Sequence, residues 1–176
     1  MAGPMVDLRA LDLRPGEVRR TELELPQAPL RMGGQEYLVD PPVLRAWLDL
    51  QGVPGGVYLK LRFEADVRGP CFRCLDDAAV HVVVKATEYH ESGGGEELRS
   101  DYVDDEELDA EAWARDALVF ALPPKILCRP ECVGLCPRCG VRLEEGVEHR
   151  CGEEEADPRW EKLRSLRDSG LEIDHL

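Results

Sequence analysis

Seven cysteines and one histidine form the most chemically informative pattern in this chain of 176 residues. Their spacings are Cys71-x2-Cys74, Cys128-x3-Cys132-x3-Cys136-x2-Cys139 and His149-x-Cys151. Cysteine thiolates and histidine nitrogens are the usual ligands of structural zinc, and each closed zinc site takes four of them. Eight ligands therefore make two complete sites. The odd number of cysteines also argues against a disulfide framework, which would leave one thiol unpaired.

The pairing of these ligands has more than one solution. The Cys-Pro-Arg-Cys-Gly run at 136–140 has the form of a zinc knuckle, a tight turn in which Gly140 permits a positive φ. We expect one ion to be bound by Cys136, Cys139, His149 and Cys151, and a second by Cys71, Cys74, Cys128 and Cys132. A rival pairing puts Cys128, Cys132, Cys136 and Cys139 on one ion. A single C-terminal site and a metal-free protein are further alternatives. Zinc here would be structural, since a closed site leaves no position for substrate.

Catalytic interpretations of these and the neighbouring residues fit the sequence less well. The spacing at 132–139 matches radical enzymes that bind S-adenosylmethionine on an iron–sulfur cluster, but those enzymes need a longer chain. Cys71 and Cys74 do not open a helix, as a thioredoxin-like pair would. The glycines at 93–95 are not followed by the Lys-Ser or Lys-Thr of a phosphate loop. The three remaining histidines are isolated and are expected to be surface groups: His81, His90 and His175. We therefore expect no enzymatic activity and no small-molecule substrate.

Alternating apolar residues predict a β body over residues 1–90. The run Val57–Val67 alternates cleanly, and Val80–Tyr89 is its expected partner strand. This hairpin would place Cys71 and Cys74 near its tip.

The chain before this hairpin is expected to add further strands. Met5–Leu13 and Val18–Leu25 read as two strands around a turn at 14–16, and Val43–Leu50 is read as a strand rather than a short helix. The predicted fold class is α+β, with an antiparallel barrel-like β body, one helix, a zinc module and a C-terminal helix.

The second half of the chain opens with an acidic segment at 91–107. From Glu96 to Glu111 there are nine acidic residues and one basic residue, a net charge of −8. We expect a solvated, flexible loop here, although an acidic arm that meets a basic partner is an alternative. A helix is predicted over 108–124 and is stopped by the prolines at 123–124. Its apolar residues recur at helical spacing: Leu108, Ala112, Trp113, Leu118, Phe120 and Leu122. A zinc module is predicted over 125–152, and a helix and tail over 153–176, starting at Asp157-Pro158.

The net charge of −14 excludes a general nucleic-acid-binding protein, because the overall electrostatic field of such an acidic chain repels nucleic acid. Any RNA contact needs a local basic patch, and residues 125–151 carry five basic against four acidic residues. The candidate patch consists of Arg129, Arg138, Arg142 and Arg150, which could equally well balance the neighbouring glutamates. The first ten residues lack the apolar run of a secretory signal, and no run reaches the length of a membrane span. We therefore expect a cytoplasmic protein without a membrane partner.

The order of these features resembles the YceD-like family, the large ribosomal RNA subunit accumulation proteins of bacteria and chloroplasts. The resemblance rests on Cys-x-Arg-Cys-Leu at 71–75, a helix ending in Leu-Pro at 122–123, Cys-x3-Cys-x-Gly-Leu-Cys-Pro-x-Cys-Gly at 128–140, and Asp-Pro-Arg-Trp at 157–160. It covers roughly residues 55–168. Two positions depart from the family pattern: Glu144 stands where members commonly carry Asn, and His149 where they carry Cys. Histidine is itself a zinc ligand, so the second change preserves the chemistry.

The resemblance implies a non-enzymatic factor in the biogenesis of the large ribosomal subunit. Such a factor promotes accumulation or maturation of 23S rRNA by binding an rRNA precursor or a ribosomal protein. The alternative is a protein-only acidic adaptor that holds a basic ribosomal protein. A redox or iron–sulfur enzyme is the least favoured interpretation.

Overall fold

The computed structural model describes residues 5–93 and 95–151, which contain nine strands and one α-helix. In chain order the elements are β1 (Met5–Asp7), β2 (Val18–Pro26), β3 (Leu30–Met32), β4 (Gln35–Asp40), β5 (Val43–Val53), β6 (Gly56–Pro70), β7 (Asp77–Glu91), β8 (Val103–Asp104), β9 (Glu107–Asp109) and α1 (Ala110–Ala121). The helix predicted from Asp157 lies outside the described residues, as does the rest of 153–176.

The main sheet is organised around one long hairpin. β6 and β7 pair antiparallel along their whole length, from Gly56 opposite Glu91 to Pro70 opposite Asp77. Every second residue of β6 from Val57 to Val67 is buried, because successive side chains of a strand point to opposite faces. The two strands predicted from the sequence for this hairpin are confirmed.

The other strands add to the opposite edge of β6. β5 pairs with β6 and with β2, and β4 pairs with β6 and with β3, all antiparallel. Alternate residues of β5 from Leu44 to Leu50 are fully buried, which confirms the strand predicted there.

A local separation interrupts the sheet between β4 and β5. β4 pairs with β6 up to Asp40 opposite Asp66, and β5 resumes the pairing at Trp47 opposite Arg62. Six residues (41–46) therefore face only three (63–65). Two of the six are prolines, which cannot donate ladder hydrogen bonds. The strands part here, and a groove opens in the sheet.

The helix packs onto the buried face of the sheet. α1 contacts β7 and β2, and Trp113 and Leu118 on it are almost completely buried. The Asp109 carboxylate caps its first turn by accepting a 2.9 Å hydrogen bond from the backbone N–H of Ala112. The helix ends before the two prolines at 123–124, as predicted. Phe120, which belongs to the predicted apolar pattern, is instead 87% exposed.

The expectation of a barrel-like body is wrong. In the described residues the main sheet has two open edges, one at β7 and one at β2 with β3. Since α1 packs against both β7 and β2, it occupies the space that closure into a barrel would require.

The first strand also differs from the prediction. β1 does not pair with β2 around the turn at 14–16; it pairs with β9, about a hundred residues later, placing Met5 opposite Asp109. β9 also pairs with β8, and the three form a small second sheet.

The acidic segment at 91–107, expected to be a flexible loop, contains regular structure. A short 3₁₀ turn spans Glu96–Leu98, and β8 and β9 form a hairpin. Asp105 and Glu106 at its turn have φ values of 44° and 65°, the positive pair that two-residue hairpins favour. Within the described residues no helix has the length and apolar character needed to cross a bilayer.

Candidate metal centres

The eight predicted ligands come together in two groups of four. In each group the ligand atoms all lie within 4.8 Å of one another. The inner cluster, as we call it, is formed by Cys71, Cys74, Cys128 and Cys132. The outer cluster is formed by Cys136, Cys139, His149 and Cys151. The structure thus favours the first of the sequence pairings over the rival set of four cysteines between 128 and 139.

Each cluster is built on a knuckle with the same backbone pattern. In the first, the N–H of Cys71 donates to the carbonyl of Asp76 (2.6 Å), and the N–H of Leu75 donates to the carbonyl of Cys71 (3.0 Å). In the second, Cys136 and Gly140 make the equivalent bonds at 2.8 Å and 2.9 Å. The residue after the second cysteine has a positive φ in both, 63° at Leu75 and 71° at Gly140. The chain therefore forms the same turn twice, although only the second contains the expected glycine.

The inner cluster belongs to the hydrophobic core. Cys71, Cys132 and Cys74 are 0%, 2% and 5% exposed. The long β6–β7 hairpin presents the first two cysteines at its tip, and the chain following α1 supplies the others. A hydrogen bond from the N–H of Phe72 to the carbonyl of Ile126 (2.8 Å) holds the two segments together.

The outer cluster lies at the surface. Cys136 is buried, but Cys139 and His149 are exposed. A short ribbon carries it, with Leu135 bridged to Arg142 and the N–H of Leu143 bonded to the carbonyl of Gly134 (2.9 Å).

The interatomic distances of the inner cluster fit tetrahedral zinc. An ion about 2.3 Å from four sulfurs sets them about 3.8 Å apart. In the inner cluster, Sγ of Cys71 is 3.8 Å from that of Cys132, and Sγ of Cys74 is 3.5 Å from that of Cys128. The contacts in the outer cluster are shorter than this spacing and run from 3.0 to 3.4 Å, so its ligands would have to move apart to hold the ion. All seven cysteines are free thiols, so these contacts are not disulfides.

The knuckles also control the ionisation of their thiols. Burial alone would raise the pKa of Cys71, but hydrogen bonds from backbone N–H groups lower it to about 6. The pKa of Cys136 is also lowered to about 6, and the hydrogen bond from the backbone N–H of Cys139 makes the largest contribution. The N–H of Asp76 lowers the pKa of Cys74, but burial and neighbouring thiols outweigh it and raise that pKa to about 12. The thiols of Cys136 and Cys139 raise the pKa of Cys151 to about 12. One thiolate forms readily in each cluster, and a bound cation would have to compensate the charge of the others.

The two knuckles are interlocked through Arg73. Its carbonyl accepts from the N–H of Leu135 (3.3 Å), and its guanidinium donates to the carbonyl of Cys132 (2.5 Å). Gly134 passes so close that an added Cβ would lie 2.9 Å from the Arg73 carbonyl oxygen. Sequence reasoning did not identify Arg73 or Gly134 as part of the site, because their role depends on contacts between distant segments.

The four arginines of the predicted RNA-facing patch are all exposed but are not equally available. Arg142 forms an ion pair with Asp76, which ties the outer ribbon to the first knuckle. Arg150 pairs with Glu148 at 3.1 Å. Arg129 and Arg138 lie beside the inner and outer clusters respectively. The charges of Arg142 and Arg150 are thus already neutralised within the chain.

The histidines outside the clusters differ from one another. His81 is exposed, as predicted, and its Nδ1 lies 2.8 Å from an Asp66 oxygen. His90 was expected at the surface but is buried, because β7 extends through it and Glu106 covers it at 3.3 Å. Burial would raise the pKa of Glu106, but its hydrogen bonds with Ser92 and His90 lower it by more. His175 lies outside the described residues.

Comparison with known proteins identifies the family. The model of the family described as "Large ribosomal RNA subunit accumulation protein YceD" matches residues 59–167. The chain belongs to the YceD family. That description assigns the family a role in accumulation of the RNA of the large ribosomal subunit, and the matched range includes all eight ligands of both clusters.

The curated relatives of this YceD-family chain are mycobacterial. Proteins of Mycobacterium tuberculosis and Mycobacterium bovis, both named as uncharacterized, are 36% identical over 171 residues, covering 93% of this chain and 81% of theirs. An uncharacterized protein of Mycobacterium leprae is 28% identical, covering 94% of this chain and 79% of its own. No solved structure matches the chain.

Proposed function

We propose that this YceD-family chain is a non-enzymatic assembly factor that promotes accumulation of 23S rRNA by binding an rRNA precursor or a ribosomal protein. The observation that carries the proposal is the family match over residues 59–167, which encloses both cysteine clusters. A cytoplasmic location, where large subunits are assembled, follows from this role.

In this proposal both clusters hold zinc, and the metal is structural. Four ligands close each site, so neither offers an open position where a substrate or a reactive water could bind. The clusters also account for all seven cysteines, leaving none for redox chemistry. Purified protein should therefore be colourless and contain two zinc ions per chain. Visible absorption from an iron–sulfur cluster would contradict this assignment.

The direct test is depletion of the protein in cells, followed by measurement of 23S and 16S rRNA. The ratio of 23S to 16S rRNA should fall and should recover when the wild-type gene is restored. Since 16S rRNA is the internal control, a parallel fall in both would indicate a general growth defect. An unchanged ratio would refute the proposed function.

One observation favours the second candidate, a protein-only adaptor. Asp104, Asp105 and Glu107 are exposed at the β8–β9 hairpin, and among the described residues only Asp105 of the three forms an ion pair, with Arg9. This hairpin presents ordered negative charge that a basic ribosomal protein could contact. Crosslinked capture of the tagged chain separates the candidates, since the adaptor would retain a ribosomal protein without crosslinked RNA.

A further inference from the structure

A groove of about 970 Å³ lies where β4 and β5 separate from β6. Its wall includes the apolar residues Pro41, Val43, Trp47 and Val83. Trp47 is 46% exposed and Val83 52%. An exposed tryptophan on a sheet face offers a flat aromatic surface, and nearly half of this one is open to solvent.

Cations follow this tryptophan in a fixed order across β6 and β7. The strand register places Arg62 opposite Trp47 and Lys85 opposite Arg62, so the three form one row across β5, β6 and β7. The carboxylate of Asp49 accepts hydrogen bonds from both Arg20 (2.5 Å) and Arg62 (2.7 Å), which orients these two guanidinium groups.

Two further cations of the groove have no partner. Arg45 and Lys85 make no ion pair or side-chain hydrogen bond with any described residue of the chain. Lys85 lies next to Arg62 at the β7 end of the row, and Arg45 lies two residues before Trp47 on the same face of β5. Both are available to a ligand.

The groove is much less acidic than the chain as a whole. Its lining contains four cations (Arg20, Arg45, Arg62 and Lys85) and two carboxylates (Glu24 and Glu64), a balance of +2. Two more carboxylates adjoin it, Asp49 beside Arg20 and Arg62, and Glu22, which the strand register places opposite Trp47; counting both gives a balance of 0. The whole chain carries −14. A polyanion is therefore repelled less here than by most of the surface, whereas a basic protein would favour the acidic β8–β9 hairpin.

We propose that this groove binds single-stranded RNA, with a base stacked on Trp47 and the phosphates held by Arg45 and Lys85. Aromatic platforms flanked by cations are the usual means of binding single strands, since every base has a face that can stack. This inference rests on the proposed function, which supplies RNA as the partner. It places the contact on the sheet and not on the arginines of the zinc module, two of which are paired internally.

The test measures binding of a fluorescein-labelled single-stranded oligoribonucleotide to the full chain by anisotropy. Trp47→Ala should weaken binding roughly 5- to 150-fold, the loss that corresponds to one stacked base. Trp47→Phe should retain most of the affinity. Phe120→Ala is the matched control, because it removes an aromatic ring that is 87% exposed on α1, outside the groove, and should change nothing.

A charge variant provides an independent measurement in case Trp47→Ala fails to fold. Lys85→Glu should weaken binding and lower the slope of log affinity against log salt, because each lost phosphate contact removes about 0.7 from that slope. Arg99→Glu changes the net charge equally at an exposed position of the acidic segment and should have little effect. Zinc content and thermal unfolding confirm that each variant is folded.

The outcomes separate this inference from the proposed function. If RNA binds but Trp47→Ala and Lys85→Glu behave like their controls, the inference is wrong, and the zinc-module arginines become the better candidates. If no RNA binds while depletion still lowers 23S rRNA, the inference is again wrong and the adaptor gains support. Selective loss in both groove variants establishes the site, whatever the depletion shows.

Discussion

The two candidate metal centres should differ sharply in how much of the fold depends on them. The inner cluster is part of the core, with the thiol of Cys71 fully buried between the β6–β7 hairpin and the chain after α1. The outer cluster is a surface ribbon in which Cys139 is exposed. The informative perturbation is therefore a pair of matched variants, Cys71→Ser and Cys139→Ser.

The expected magnitude follows from the position of each ion. A structural zinc site contributes roughly 10–16 kcal/mol of apparent binding free energy, which in such modules is folding free energy. The whole stability of a domain is only about 5–15 kcal/mol. Loss of the inner ion would also leave buried thiols without their common partner, so Cys71→Ser should abolish cooperative unfolding. Cys139→Ser should remove the order of the outer ribbon and leave the sheet and α1 intact.

The assay combines zinc analysis with thermal unfolding followed by circular dichroism. Wild type should contain two zinc ions and lose one of them first to a chelator, because the outer ligands are accessible. Cys139→Ser should contain one ion and keep a cooperative transition. The reasoning is refuted if Cys139→Ser loses both ions, or if Cys71→Ser still binds two and unfolds cooperatively.

Three further predictions concern the rest of the chain. Trp113→Ala should lower the free energy of unfolding by about 3–5 kcal/mol, as measured by urea denaturation, whereas Phe120→Ala should change it by less than about 0.5 kcal/mol. Gly134→Ala should lower the free energy of unfolding by more than Gly33→Ala in the same assay. Both glycines have a positive φ, which would cost an alanine about 1–2 kcal/mol of strain. Only at Gly134 would the added Cβ also meet backbone, 2.9 Å from a carbonyl oxygen. The lowered pKa of Glu106 means that its carboxylate stabilises the fold above its ordinary pKa, and this contribution is lost as pH falls through the lower folded value. Glu106→Gln should therefore be less stable than wild type at neutral pH, and the difference should vanish in acid; a constant difference in unfolding free energy across this range would contradict the assignment.

Local pattern was sufficient to predict the centre of the fold. The alternation at Val57–Val67 predicts one buried face, and that face is the core of the main sheet. The helix that becomes α1 and its proline stop were predicted for the same reason, since a helical period and a breaker act on residues three or four positions away. Its Asp109 cap was not predicted.

Features that depend on distant partners were not predictable. β1 pairs with β9 over three residues, too short a run for alternation to indicate a partner. The main sheet stays open because α1 packs against it. The helical period in the sequence predicts that α1 forms, but it does not say which strands α1 packs against. The same limit explains Phe120: a helical period marks which residues share a face but not how far the core extends along it.

The candidate metal centres lie between these cases. Spacing alone predicted the eight residues that cluster and the knuckle at 136–140, because a knuckle is a local turn. The partners of Cys71 and Cys74 could only be argued by elimination from the count of eight. The structure brings Cys128 and Cys132 to them because α1 returns the chain to the tip of the long hairpin.

The distribution of charge gives the two candidate binding modes separate places on the molecule. The β8–β9 hairpin presents carboxylates, while cations outnumber carboxylates in the lining of the groove around Trp47. An RNA strand drawn to the groove would be repelled by the hairpin, and a basic protein on the hairpin would remove part of that repulsion. A protein bound there should therefore raise the affinity of the groove for RNA, and by thermodynamic linkage RNA should raise the affinity for the protein by the same factor. Measuring RNA binding with and without a basic peptide, in wild type and in Glu107→Lys, would test this coupling, which should disappear in the variant if the hairpin is the peptide's site.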